Sequence, residues 1–195
     1  MATIIGAIYG LCFKATTYKA TGNPMRTVIK CGNVNEKDIL RATKLGHAIS
    51  GSGHDNFLKG IIVQCDVTAP LYWWKQAQRY HWFDYVSSQS TMHCLLKFNV
   101  KEQCVQETDS IILERMQTLI DEYNNIADDD PKKKEKWRTL IASLPCGFCL
   151  GATMTTNYQQ LKTMYNQRKN HKLSEWHTFC SWCLDLPSFK ELVLE

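Results

Sequence analysis

The chain has 195 residues, 44% of them hydrophobic and 22% charged, which suits one globular domain over 1–195 with a sizeable core. Its net charge of +4 admits an anionic small ligand but is too weak for a nucleic-acid footprint, so no nucleic-acid polymer is expected. No apolar run approaches the roughly 20 residues of a membrane span, the opening MATIIGAIYGLCF has no basic region ahead of it, and the cysteine count of 9 is odd, so a cytoplasmic protein with reduced thiols is expected.

Residues 1–35 contain short β-rich runs such as MRTVIKC, broken by TGNP. NEKDILRATKLGHAI sets Ile39, Leu40, Ala42, Leu45 and Ile49 at helical spacing behind an Asn35 cap. The Gly- and Ser-rich SGSGHDN is a loop. FLKGIIVQCDV follows, and its near-continuous apolar character predicts a strand buried on both faces. Pro70 suits the first turn of a helix and not a ladder, which predicts a helix over PLYWWKQAQRYH, 70–81.

A further helix is predicted from Asp109 to Ala127, with Ile112, Met116, Leu119, Ile120 and Tyr123 on one face and the charged turn DDDPKKK behind it. KEKWRTLIASLP is a short helix stopped by Pro145. The last third gives one long or two consecutive helices. Leu161, Met164, Tyr165 and Arg168 share one face, then Trp176, Phe179, Cys180 and Cys183 share another. The architecture is α+β with a helical C-terminal half.

APLYWWKQAQRYHWFDYVSSQSTMH, from Ala69 to His93, mixes aromatic rings with cationic and hydroxyl groups, as the wall of a pocket for a flat, charged ligand would. Gln76 and Arg79 lie three apart, on one face of the predicted helix, where the guanidinium fork suits phosphate or carboxylate. The same pair also reads as a solvated helix face, and Tyr72, Trp73 and Trp74 as core. Ser87, Ser88 and Ser90 with Thr91 present hydroxyls and N–H groups to an anion or cap a helix. Asn157 and Arg168, about three helical turns apart, share a stripe, and His171 follows one turn on. Cys146–Cys149 and Cys180–Cys183 form two CxxC pairs, the pattern of structural zinc. The 30 residues between them exceed the usual ribbon spacing, and the second pair serves a helix as small apolar residues, so no metal is assigned.

Taken in order, these motifs resemble the flavin-dependent thymidylate synthases. Gly53-His54-Asp55-Asn56 stands where that family has its Gly-His-Glu-Thr/Ser loop, IIVQCDV where its strand runs, and Ala69-Pro70-Leu71-Tyr72 where its helix opens. Gln76 and Arg79 fall in register with its Gln-x-x-Arg, and YVSSQSTMH covers its serine motif with one inserted residue. Leu144-Pro145, Thr155-Thr156-Asn157, Leu161, Arg168 and Glu175-Trp176 match its C-terminal elements, so the likeness covers roughly 50–95 and 144–185.

The resemblance implies the family's α+β fold, a mixed sheet with a helical C-terminal half, and a homotetramer with shared active sites. It implies FAD as cofactor, a pyrimidine mononucleotide (dUMP) as substrate, and methylenetetrahydrofolate and NADPH as co-substrates. It gives Arg168 and Ser90 catalytic roles, and Gln76, Arg79, Ser88, Ser90 and Arg168 the nucleotide. His54, Asn56, Arg79, His81, Asn157 and His171 would face the flavin. The family's Arg-His-Arg is Arg79-Tyr80-His81 here, its Ser-Gly-Arg is Ser90-Thr91-Met92, and Lys59-Gly60 stands where it has Glu-His. These replacements leave a second expectation open: a non-catalytic protein that senses or sequesters a nucleotide on the same scaffold.

Overall fold

The computed structural model describes residues 36–97 and 99–194. The expected β-rich runs of 1–35 and the Asn35 cap lie outside them. The chain divides into two compact units. The first takes the residues up to Cys65, Tyr80–Asp84 and those from Met154 on, and the second takes Asp66–Arg79 and Tyr85–Thr153. Among the described residues no helix is long and apolar enough to cross a membrane.

The described elements are α1 (Glu36–Gly46), a 3-10 turn (Asn56–Gly60), β1 (Ile62–Pro70), α2 (Leu71–Ala77), β2 (Asp84–Ser88) and α3 (Thr91–Cys94). After a second 3-10 turn (Leu95–Lys97) come α4 (Val100–Gln103), α5 (Ser110–Asn124), α6 (Lys132–Ala142) and β3 (Cys149–Asn157). The chain ends with α7 (Tyr158–Arg168), α8 (Ser174–Asp185) and α9 (Phe189–Val193). The three strands form one sheet in the order β1-β3-β2. Leu71 N–H donates to the Phe148 carbonyl near one end of the β1–β3 pair, and Tyr158 N–H to the Ile61 carbonyl near the other. Those pairings run the two strands in opposite directions; the architecture is α+β, and the sheet among the described residues is small and antiparallel.

Two expectations change for physical reasons. FLKG winds into the 3-10 turn, and β1 alternates exposed and buried residues because one face of its sheet is solvated. Pro70 closes β1 in extended geometry (φ −70°, ψ 155°) and hands over to α2, which ends at Ala77 and not at residue 81. Arg79 N–H reaches only the Gln76 carbonyl, at 3.4 Å. Tyr80, next in the chain, is buried in the first unit.

In the second unit Leu95, Val100, Cys104, Met116, Leu119, Ile120, Leu140 and Phe148 make the core. Asp109 caps α5 through the Ile111 N–H at 2.8 Å. Met116, Leu119 and Ile120 face inward as the period predicts, whereas Ile112, one turn from the cap, is 45% exposed. In the first unit the C-terminal third is two helices. Leu161 and Met164 of α7, and Trp176, Phe179, Cys180 and Cys183 of α8, are buried. Gly46 ends α1 against α9, where a Cβ would lie 2.0 Å from the Leu192 carbonyl oxygen.

Candidate functional site

In the first unit, Gly51 (φ 91°) and Gly53 (φ 81°) turn the loop after α1 into Asp55. Asp55 is fully buried, and its carboxylate accepts from Lys162 Nζ at 3.1 Å and Gln159 Nε2 at 3.0 Å. The same ammonium donates to the carbonyls of Gly46 (2.7 Å) and Ala48 (2.5 Å), so all three of its donors are used. That full satisfaction is what lets a lysine sit at 4% exposure. His54 and Asn56, on either side of Asp55, stay exposed. Gln159 Nε2 also donates to Asn56 Oδ1 at 3.3 Å, tying the loop to the first turn of α7.

Asn157 caps that helix. Its Oδ1 accepts from Gln160 N–H at 3.0 Å, so the oxygen that would face a flavin is taken up by the helix end. Arg168 lies in the last turn of α7, half-buried, with its guanidinium carbon 4.5 Å from the Trp176 ring centroid and 5.4 Å from that of Tyr80. Its Nε–H donates to Tyr80 Oη at 2.7 Å, and Tyr80 Oη donates to Gln167 Oε1 at 3.0 Å.

His171 Nδ1 accepts the Leu173 N–H at 3.1 Å, which assigns the ring proton to Nε2 in the neutral form. Burial, then the Arg168 charge, then His177 hold its pKa below the usual histidine value. His81 is exposed, its ring 5.5 Å from Trp82. The first unit thus joins the His54–Asn56 loop to α7 and sets Arg168 close to His171.

The second unit carries Gln76, Arg79, Ser88 and Ser90. Gln76 is half-buried on α2, and Arg79 is exposed two residues beyond the helix, not on its face. Ser88 ends β2, exposed, and Ser90 stands at the N-cap of α3 without a side-chain capping bond. Trp73 and Trp74, 2% and 5% exposed, are core.

Trp74, Gln78, Tyr85, Ser88 and Gln89 line a concavity of about 320 Å³ in that unit. Trp74 Nε1–H donates to the Leu150 carbonyl at 3.1 Å, and Gly151 N–H donates to Gln89 Oε1 at 2.8 Å. A Cβ at Gly151 would sit 3.2 Å from that oxygen, so the missing side chain lets Gln89 in. Sequence reasoning named Tyr80 and Asp55 only as motif positions and missed Gln89 and the Lys162 and Gln159 side chains that hold Asp55. Only Lys162, a cation next to the apolar Leu161 stripe, left a signal there.

Of the CxxC pairs, Cys146 is exposed and Cys149 half-buried in the second unit, whereas Cys180 and Cys183 are buried in the first. Among the described residues no group of three or more His, Cys, Asp or Glu could hold a metal ion. Burial pushes both Cys180 and Cys183 above the ordinary thiol value. A raised folded pKa stabilises fully below the unfolded value and loses that contribution as pH climbs. Unfolding free energy is therefore expected to fall above about pH 8.5, by up to roughly 1.4 kcal/mol per pH unit for each shifted thiol. Denaturant titrations from pH 7 to 10 check this, with Cys183→Ala flattening the slope; a flat wild-type profile would contradict it.

No family model matches the sequence, and no curated protein does. Solved structures do match, among them two of the flavin-dependent thymidylate synthase ThyX from Helicobacter pylori with FAD and dUMP. One aligns over 95% of this chain and 94% of its own at TM-score 0.68 and 12% identity. The other covers 95% and 92% at the same score and identity. The chain has the fold of the flavin-dependent thymidylate synthases.

Proposed function

We propose that the chain is a divergent flavin-dependent thymidylate synthase, or a close relative working on another pyrimidine nucleotide. The reaction is reductive methylation of dUMP with methylenetetrahydrofolate, FAD and NADPH. The observation that carries this reading is the fold shared over 95% of this chain and 94% of an enzyme solved with FAD and dUMP. The ordered motifs from Gly53 to Trp176 support it.

The residues present fit the cofactor. Exposed His54 and Asn56 stand on a loop whose two positive-φ glycines carry no side chain, and Lys59 adds an exposed cation in the next turn. Side-chain donors beside open glycine backbone suit an anionic dinucleotide. Asn157 contributes through the helix it caps, and His81 and His171 complete the flavin-facing set. Bound and reduced, the flavin would supply the hydride that completes the methyl group. The chain's own part is to bind, orient and exclude water. Gln76, Arg79, Ser88, Ser90 and Arg168 would hold the nucleotide, with the two arginines meeting its negative charge and Ser90 its oxygens. The active sites would be shared in a homotetramer.

A second reading keeps the nucleotide and drops catalysis. It is favoured by Met92, 57% exposed where the resembled motif has an arginine.

One preparation separates the readings. The protein incubated with FAD and desalted is expected to keep flavin bands in the near-ultraviolet and blue. Calorimetric titration with dUMP should show binding that weakens about tenfold to a hundredfold in Arg168→Ala, from roughly 1.5–3 kcal/mol per charged hydrogen bond. Nucleotide binding by a colourless protein would favour sensing, and neither ligand binding would sink both readings.

A further inference from the structure

We propose that Tyr80 is a positioning residue that sets the orientation of the Arg168 guanidinium for the nucleotide; this rests on the reading of Arg168 given above. Tyr80 is only 9% exposed, and its ring stands edge-on to Trp176 with centroids 6.1 Å apart. A phenolic hydroxyl has one hydrogen to give and lone pairs to offer. Gln167 Oε1 takes the hydrogen at 3.0 Å, which turns the lone pairs toward Arg168 Nε at 2.7 Å. Gln167 and Arg168 are neighbours on α7, so one helix holds the hydroxyl by both of its functions.

Arginine is a long side chain with many rotamers, and a fork of donors acts on a ligand only when its plane is fixed. The Trp176 ring bounds that plane from one position and the Tyr80 ring from another. The directional bond to Nε restrains the twist about the side-chain axis. A phenylalanine at 80 would keep the ring, the Trp176 contact and the flank on Arg168, and would remove only Oη. That substitution isolates orientation from packing.

The test uses the full chain as wild type, Tyr80→Phe, Arg168→Ala and the double variant, with dUMP titrated by calorimetry. Arg168 Nε–H is followed by NMR and identified by its absence in Arg168→Ala. Tyr80→Phe is expected to keep cooperative unfolding, weaken dUMP roughly tenfold and speed exchange of the Arg168 Nε proton. Added to Arg168→Ala, it should change the affinity less than about twofold, because an effect exerted through a group vanishes with that group.

Gln167→Leu, at an exposed position, should shift both readouts in the same direction by less. Wild-type affinity in Tyr80→Phe, beside a clear loss in Arg168→Ala, overturns the proposal and leaves the proposed function standing. An equal loss from Tyr80→Phe in both backgrounds also overturns it, as a structural effect. A wild-type chain that binds no dUMP overturns the proposed function instead, and the Nε–H exchange then decides alone whether Tyr80 fixes Arg168.

Discussion

Lys162→Ala is expected to destabilise the first unit by about 3–5 kcal/mol, the usual result of removing one partner from a buried ion pair. Lys162 is 4% exposed and Asp55 fully buried, and the ammonium is shared between that carboxylate and the carbonyls of Gly46 and Ala48. Truncation leaves a buried carboxylate with Gln159 as its remaining side-chain donor and takes the ammonium away from two backbone acceptors. The cost comes from the uncompensated charge more than from lost attraction. The neutral pair Asp55→Asn with Lys162→Met should therefore recover much of the stability. Denaturant unfolding of the three proteins measures this. A loss below about 1 kcal/mol in Lys162→Ala would show that the group does not hold the loop. Because His54 and Asn56 flank Asp55, the same variant is expected to loosen the presentation of both.

What could be read from sequence follows from how local the deciding interaction is. The stripe Trp176, Phe179, Cys180 and Cys183 was legible because helical periodicity and burial coincide in α8. The α5 stripe was legible except at Ile112, where the first turn runs out past the core. The end of α2 was not legible. PLYWWKQAQRYH is helical in character throughout, and nothing local in it marks the end at Ala77. The β1 run was apolar enough to suggest two buried faces, but which face meets solvent depends on what packs against the sheet, which only the assembled fold sets.

Of the candidate site, the sequence names candidate residues but not the partners that hold them. His54, Asn56, Asn157 and Arg168 came from motif spacing. The contacts that govern them come from Gln159, Asp55, Gln160 and Tyr80, and several of these join positions about 90 to 100 residues apart. Asn157 shows the limit well, since a side chain picked out as ligand-facing spends its oxygen on a helix cap.

Trp176→Ala is expected to cost about 3–5 kcal/mol, the range for removing a large aromatic side chain from a close-packed core. Trp176 is fully buried, and its ring meets Phe179 at 5.5 Å, Tyr80 at 6.1 Å and His171 at 6.3 Å between centroids, each near edge-to-face. Its face also carries the Arg168 guanidinium, a cation–π contact worth about 0.5–2 kcal/mol depending on desolvation. Alanine therefore empties the centre of the cluster and frees the guanidinium on that side. Phenylalanine keeps an aromatic face at reduced volume, so Trp176→Phe should lose clearly less stability and less dUMP affinity. Unfolding and nucleotide titration of both variants check the two effects separately. If Trp176→Ala lost stability while dUMP affinity stayed at the wild-type level, the indole would be packing alone, and the orientation of Arg168 would rest on Tyr80.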